Sequence, residues 1–217
     1  SWPMASVSSD RSDHVLVPHP RYLFDYGSVS TSLAATYACS GLTAYSALRK
    51  VAPSDDAPRS LLLVGLGGVG LAAVSLAQAV GSFEIVGADV DDARLTVARE
   101  CGVTETVNAQ VPDAEKIVKR WTGGGVAAAV DFVGSERSAS FAFNSLAVGG
   151  TLVVVGLFGG ALNIPLPLLP LKQLSICGSY VGSLQEMSAL MLLVRSGQVA
   201  ALPVTERPLT EVQQSFD

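Results

Sequence analysis

Residues 61–70, LLLVGLGGVG, run from an apolar segment directly into a cluster of glycines. A short apolar run is typical of a strand that is covered on both faces of a sheet. The glycines fit the pattern G-x-G-x-x-G at Gly65, Gly67 and Gly70, just where a helix over 69–80 is predicted to begin. There they allow a tight turn, a close approach of a pyrophosphate to the backbone, and close packing of helix on strand. The stretch therefore predicts a phosphate-binding turn.

Residues around this turn narrow the choice of ligand. Leu71 stands where an ATP-binding P-loop needs lysine, which excludes that class. Asp89 ends the next apolar run, EIVGAD, where a carboxylate suits the ribose of a dinucleotide and repels a 2′-phosphate. This favours NAD over NADP. Two alternatives stay open: Asp89, with Asp91 and Asp92, caps the following helix, or the turn belongs to a methyltransferase.

Strand-like and helix-like segments alternate along most of the chain. Strands are predicted over 61–65, 84–89, 104–109, 127–134, 151–156 and 174–179. Helices are predicted over 69–80, 91–101, 112–121, 136–147 (stopped by Gly149-Gly150) and 184–197. Upstream, a short strand broken by prolines is predicted over 15–24 and an Ala-rich helix, interrupted at Gly41, over 30–51. The alternation predicts an α/β fold with a doubly wound, six-stranded parallel sheet.

Composition indicates a buried core and argues against two kinds of partner. Apolar residues make up 49 % of the 217 residues and charged residues 15 %, with a net charge of −5. No Lys/Arg cluster is present, which argues against nucleic acid. Prolines and glycines interrupt the most apolar region, 150–171, so no membrane span is expected. Three widely spaced cysteines and an N-terminus without a signal-peptide core favour a reduced, cytoplasmic protein.

Six segments together resemble the medium-chain, zinc-dependent alcohol dehydrogenases. In chain order they are ACSGLTAYSAL (38–48), VGLGGVG (64–70), VGADVDDARLTVA (86–98), VDFVGS (130–135), GGTLVVVGL (149–157) and SICGSYVG (175–182). The resemblance covers residues 14–217. It implies an NAD-binding Rossmann domain over 30–217, preceded over 1–29 by a remnant of the family's β-rich catalytic domain.

The resemblance also implies a cofactor site and part of a zinc site. Matched to the pyrophosphate turn and the ribose contacts are Gly65, Gly67, Gly68, Val69, Gly70, Asp89, Val90 and Arg94. Matched to the adenine side are Val133 and Gly134, and to the nicotinamide side Val155, Gly156, Leu157 and, less firmly, 175–178. Thr43 matches a threonine beside the nicotinamide, and Cys39 matches one ligand of the catalytic zinc. Cys101 and Cys177 are expected to be core residues, and His14 and His19 structural or surface residues.

The activity implied by the resemblance is hydride transfer between an alcohol or aldehyde and NAD, with zinc polarising the alcohol oxygen. The other zinc ligands of the family belong to a β-rich domain that these 217 residues do not contain, and three cysteines cannot form a four-cysteine zinc lobe. The family's closing segment is also missing, and Ser183-Leu184 replaces the usual Thr-Arg. We therefore expect the cofactor domain of a larger enzyme, able to bind NAD but inactive alone.

Two other functions remain alternatives. The first is a zinc-free quinone or enoyl reductase, although Cys39 and Asp89 count against it because such enzymes usually lack that cysteine and often prefer NADP. The second is a non-catalytic dinucleotide-binding module. Short-chain dehydrogenases are excluded because Tyr45 with Arg49, the nearest candidate pair, precedes the glycine turn and lacks lysine. The family tends to pair the sixth strands of two subunits, so a homodimer or homotetramer is expected.

Overall fold

A six-stranded parallel sheet forms the centre of the computed structural model, which describes residues 16–53 and 57–211. The strands are β1 Arg59–Val64, β2 Phe83–Asp89, β3 Glu105–Asn108, β4 Val126–Asp131, β5 Leu146–Val154 and β6 Ser175–Gly178. Their order is β3-β2-β1-β4-β5-β6, so the chain builds outward from β1 and then crosses back to start again at β4. This is the doubly wound Rossmann arrangement, and the predicted fold class is confirmed.

Helices cover both faces of the sheet. They are α1 Thr31–Thr36, a π-helical turn Tyr37–Gly41, α2 Leu42–Arg49, α3 Gly68–Val80, α4 Asp92–Glu100, α5 Ala114–Trp121, α6 Glu136–Asn144, α7 Leu168–Lys172 and α8 Leu184–Arg195. The core on one face contains residues of α2, α3, α4 and α8, and the core on the other contains residues of α5 and α6. The sheet is therefore buried between two helical layers.

The apolar run of β1 is explained by its position in the middle of this sandwich. Leu61 and Leu63 pack into one core, Leu62 and Val64 into the other, and all four are buried. Successive side chains of a strand point to opposite faces, so a central parallel strand needs apolar residues at every position. Burial on both sides fixes where β1 ends, and thus where the glycine turn begins.

The apolar composition of residues 150–171 is also explained by the sheet. This region forms most of β5, the connection that follows it, and part of the short helix α7. No helix within 16–53 and 57–211 combines the length and apolarity that a bilayer span requires.

The predicted strand over 15–24 is wrong in the part that the structure describes. Residues 16–24 contain no strand, and Pro20–Tyr22 forms a single 3₁₀ turn. The His19 side chain caps this turn by accepting a hydrogen bond from the backbone amide of Arg21. Proline lacks the N–H that a ladder needs and fixes φ near a turn value, so the two prolines here favour the turn. His14 and the rest of 1–15 lie outside the described residues. The domain division at residue 30 stays a prediction.

The Ala-rich helix predicted over 30–51 is confirmed, with a local widening at the expected interruption. α1 and α2 join without a break through the π-helical turn that ends at Gly41. A Cβ on Gly41 would lie 2.6 Å from Cδ1 of the buried Tyr37. The glycine therefore accommodates a packed aromatic ring and does not end the helix.

Several predicted boundaries differ from the structure, among them the start of β5, which is predicted at 151 and lies at Leu146. α6 ends at Asn144, and Gly149-Gly150, predicted as its stop, lies inside β5, which pairs with β4 from Leu146 onward. α5 begins at Ala114 because Asp113 adopts a left-handed backbone with φ of 58°. β4 ends at Asp131, before the predicted 134, because the backbone turns there around the Asp131 carboxylate.

Candidate functional site

The glycine turn after β1 brings the end of a strand into direct contact with the start of a helix. Gly65 has a left-handed φ of +88°, which L side chains rarely adopt. A Cβ on Gly70 would lie 2.0 Å from the carbonyl oxygen of Gly65. The two residues must therefore both be glycine for α3 to pack as it does.

The opposite side of the turn is open. A Cβ on Gly68 would meet nothing within 4 Å, and one on Gly67 would only approach Nη1 of Arg94, at 4.0 Å. α3 starts at Gly68, and no side chain of the described residues caps its first turn. The first amides of a helix lack intrahelical partners and carry partial positive charge. Val69 packs into the core beneath. The open, donor-rich turn fits the pyrophosphate of a dinucleotide.

Asp89 fastens this turn to the end of β2. Its Oδ2 accepts a hydrogen bond from the backbone N–H of Leu66 at 2.7 Å, and its Oδ1 accepts from the amides of Val90 at 2.7 Å and Asp91 at 3.0 Å. The Asp89 side chain is only 3 % exposed. A carboxylate offers about four acceptor positions, so about one is left for a ligand. The carboxylate is thus a structural tie as well as a candidate ribose contact.

The residues after Asp89 form the mouth of the site. Asp91, not Asp89, caps α4, since its Oδ1 accepts the amide of Ala93 at 2.8 Å. Arg94, on α4, extends back so that Nη1 lies 3.8 Å from Oδ2 of Asp89 and Nε lies 3.7 Å from Oδ2 of Asp91. The Arg94 guanidinium and the exposed Val90 therefore flank the open side of the glycine turn.

The loops after β4 and β5 are joined through their backbones. The amide of Gly156 donates to the carbonyl of Asp131 at 3.0 Å, as does that of Val155 at 2.9 Å. A Cβ on Gly134 would lie 1.9 Å from the carbonyl oxygen of Gly156. Val133 also reaches the first turn, because its Cγ2 lies 2.6 Å from the position of a Cβ on Gly65. The turns after β1, β4 and β5 thus form one continuous surface.

Asp131 is a site-supporting residue that the sequence reasoning missed. It is fully buried at the end of β4, where Oδ1 accepts the amides of Val133 at 2.9 Å and Gly134 at 3.1 Å, and Oδ2 accepts the hydroxyl of Ser138 at 2.9 Å. Burial raises the pKa of Asp131, and these hydrogen bonds only partly oppose the rise. A lone acid ending the apolar run AAAVD was the signal available in the sequence.

Cys39 and Thr43 lie on the long helix that precedes β1 in the chain. Cys39 is exposed on the π-helical turn, which packs against α3, and Thr43 is half-buried on α2. Within 16–53 and 57–211, no group of three His, Cys, Asp or Glu side chains is arranged to hold a metal ion. The described residues therefore do not form a zinc site by themselves.

The predicted cofactor residues cluster at the end of the sheet where the carboxyl ends of its strands lie. Gly65 to Gly70, Asp89 and Val90, Val133 and Gly134, and Val155 to Leu157 all follow the carboxyl ends of parallel strands. The crevice between β1 and β4 is where the strand order reverses, which is the usual ligand site of such sheets. Leu157 and the neighbouring Phe158 are 80 % and 82 % exposed at this end of the sheet.

Comparison with known proteins assigns the chain to a family. The family model described as zinc-binding dehydrogenase matches residues 68–196, which is more than half of the chain. The chain belongs to the medium-chain, zinc-containing alcohol dehydrogenases. It corresponds to their cofactor-binding portion, as the resemblance implied.

Individual relatives agree with this assignment. An NAD-dependent alcohol dehydrogenase of Sulfurisphaera tokodaii is 35 % identical over 218 residues, covering 100 % of this chain and 62 % of that protein. The solved alcohol dehydrogenase of Aeropyrum pernix superposes with a TM-score of 0.78 at 31 % identity, over 87 % of this chain and 55 % of the other. The solved D-arabinose dehydrogenase of Sulfolobus solfataricus superposes with a TM-score of 0.80 at 25 % identity, over 89 % of this chain and 60 % of that chain. The chain thus spans less than two thirds of these relatives.

The contact between Gly70 and Gly65 is testable without a ligand. We expect Gly70→Ala to lower the free energy of unfolding by about 1–3 kcal/mol, because its methyl group would overlap the Gly65 carbonyl and force helix and strand apart. Gly68→Ala, two residues earlier in the same helix, is the matched control and should change stability by no more than about 1 kcal/mol. Urea unfolding measures both, and equal losses would contradict the assigned contact.

The buried Asp131 predicts a pH dependence with a definite sign. Because burial raises its folded-state pKa, its contribution to stability is fully present below the ordinary aspartate pKa of about 4 and is lost as pH rises through the folded value. Asp131→Asn should therefore gain stability relative to wild type as pH rises from 4 to 7. If Asp131→Asn instead gained stability relative to wild type as the pH fell from 7 to 4, the predicted direction would be wrong.

Proposed function

We propose that this chain is the NAD-binding portion of a zinc-dependent alcohol dehydrogenase, which transfers a hydride between an alcohol or aldehyde and NAD in the intact protein. The observation that carries the proposal is the glycine turn, open on its outer side and tied to the buried Asp89 at the crevice between β1 and β4. The relatives named as alcohol dehydrogenases support the activity.

In this proposal the phosphates lie against the turn. α3 begins at Gly68 on the open side of the turn, so the amides of its first turn lack intrahelical acceptors and supply a partial positive charge. Arg94 adds a full positive charge beside Gly67, where it can neutralise a phosphate oxygen or contact the ribose. Binding here needs little rearrangement, because Gly65 and Asp89 already hold the backbone in place.

The adenosine end would lie over Val90, Val133 and Gly134. Asp89 retains about one acceptor position for a ribose hydroxyl, since its three amide partners occupy the rest. A 2′-phosphate would bring further negative charge next to both Asp89 and Asp91, with Arg94 as the cation beside them. We therefore propose a preference for NAD over NADP.

The nicotinamide end would reach Val155, Gly156 and Leu157 on one side and Thr43 on the other. When bound there, NAD supplies the hydride acceptor. The backbone bonds between the β4 and β5 loops hold this wall rigid, and the exposed Leu157 and Phe158 offer an apolar surface that would exclude water once covered.

Cys39 is proposed as a single ligand of the catalytic zinc in the intact protein. Catalytic zinc needs three protein ligands, so this thiol alone cannot retain the ion, and we derive no step through it. Cys39, Cys101 and Cys177 are free thiols, which agrees with a reducing, cytoplasmic setting.

The solved relatives named as an alcohol dehydrogenase and as a D-arabinose dehydrogenase leave the substrate class open between simple alcohols and sugars.

Cofactor titration tests the proposal on the chain as it stands. We expect NADH to bind with enhanced fluorescence, and NADPH to bind at least about tenfold more weakly because of the carboxylates beside the ribose. The same preparation should not oxidise simple alcohols, since the described residues provide one proposed ligand of the three that a catalytic zinc needs.

The control variant is Asp91→Asn, which keeps the helix-capping oxygen while removing one charge at the mouth. Asp91→Asn should reduce the ratio of NADH affinity to NADPH affinity and leave the NADH affinity nearly unchanged. Equal affinity of wild type for both cofactors would count against the NAD assignment, and binding of neither would overturn the proposed function.

Self-association is proposed through the edge strand β6. β6 pairs only with β5 among the described strands, and Ile176 on it is 40 % exposed. Leu166 and Leu171, just upstream, are exposed by more than 70 %. An edge strand flanked by exposed leucines is a ready surface for pairing with a second copy, giving a homodimer or, with a further contact, a homotetramer.

Light scattering tests this surface. Wild type is expected to have the mass of a dimer or tetramer, and Ile176→Lys to have that of a monomer, since lysine on an edge strand opposes pairing. Leu192→Lys, at an exposed leucine of α8, is the matched control and should remain associated. A monomeric wild type would disprove the proposal.

A further inference from the structure

The turn between β6 and α8 adopts an unusual backbone beside the proposed nicotinamide wall. Ser179 continues the sheet, because its amide donates to the carbonyl of Val154 at 2.9 Å. Two residues later, Val181 has a φ of +50°, a conformation that a β-branched residue adopts only when its surroundings impose it. Tyr180, between them, is 77 % exposed.

One set of contacts comes from the start of α8. Ser183 and Glu186 form a capping box, in which the Ser183 amide donates to Oε2 of Glu186 at 2.7 Å and the Glu186 amide donates to Oγ of Ser183 at 3.1 Å. The Ser183 hydroxyl donates to the same carboxylate oxygen at 2.9 Å. The motif S-L-Q-E at 183–186 signals this box in the sequence, and the sequence reasoning did not use it.

A second set of contacts comes from α2. The buried hydroxyl of Ser46 accepts a hydrogen bond from the hydroxyl of the equally buried Ser179, with 3.5 Å between the two oxygens. A Cβ on Gly182 would lie 2.7 Å from Cδ1 of Leu42. The turn is thus pressed onto α2 at Leu42 and bonded to it at Ser46.

The ionisation of Glu186 fits this arrangement. Burial alone would raise the pKa of Glu186, but the hydrogen bonds from Ser183 and the charge of Lys50 help to hold the pKa below its ordinary value. The carboxylate therefore remains an acceptor around neutral pH and joins the turn to the start of α8.

Ser46 lies one helical turn after Thr43 on α2. We propose that Ser46 and Glu186 are positioning residues, which fix the distance between Thr43 and the Ser179–Ser183 turn and so set the width of the nicotinamide pocket. This inference rests on the proposed function. Neither residue needs to touch the cofactor, since both act through the backbone of the turn.

Two measurements on this chain test the inference. Hydrogen exchange reports the turn directly, because the Ser183 amide donates to Glu186. Titrations with NADH and with ADP-ribose, which lacks the nicotinamide, separate the two ends of the site. We expect Ser46→Ala to speed exchange at Gly182 and Ser183 and to weaken NADH binding by about two- to tenfold, the effect of one lost hydrogen bond, with ADP-ribose affinity unchanged.

The controls distinguish positioning from general loosening of the fold. Ser188→Ala, which removes an exposed serine of α8 that bonds only to Leu184, should change neither measurement. Glu186→Gln retains an acceptor for the Ser183 amide and should lose less NADH affinity than Glu186→Ala. Equal weakening of NADH and ADP-ribose, or normal NADH binding by Ser46→Ala, would overturn the inference alone. Failure of wild type to bind either ligand would overturn the proposed function and this inference with it.

Discussion

The close approach of Gly70 to Gly65 is the constraint on which the rest of the site depends. With 2.0 Å between a would-be Cβ and the carbonyl oxygen, only two glycines let α3 begin directly above the end of β1. That placement leaves the first amides of α3 without a side-chain cap and brings the Leu66 amide to the Asp89 carboxylate. The position of the phosphate-binding surface is therefore set by backbone contact, and side chains act mainly to hold it.

The same arrangement, a buried aspartate that ends a strand and binds the turn after it, occurs twice at the carboxyl ends of the strands. Asp89 ends β2 and Asp131 ends β4, and each buried carboxylate accepts the amides of the turn that follows its strand. Each also reaches outside its own turn, Asp89 to Leu66 and Asp131 to Ser138. A buried carboxylate is costly unless its oxygens are hydrogen-bonded, so each acid is stable only while its turn keeps this shape. The two halves of the fold thus use a charged residue to make a loop rigid.

Much of the fold and the glycine turn could be predicted from the sequence, because the patterns that indicate them are local. The run 61–64 and the glycines behind it predicted β1, α3 and the turn, and the alternation predicted the parallel sheet. What failed depended on tertiary contacts. Gly149 and Gly150 suggest a helix stop until β4 is seen to pair with β5 from Leu146 onward. Ser46 lies far in sequence from its partner Ser179, so its role emerges only when the chain is folded.

The π-helical turn Tyr37–Gly41 sets the rotational phase between two halves of one continuous helix. Each residue advances an α-helix by about 100°, so the extra residue in this turn rotates everything after it relative to everything before. Cys39 faces solvent inside the turn, while Ala44, Ala47 and Leu48 beyond it face the core. Loss of a single residue here would return the helix to regular winding and rotate α1 by about 100° relative to α2. A length change of one residue would therefore reorient everything upstream of this turn while leaving the sheet intact.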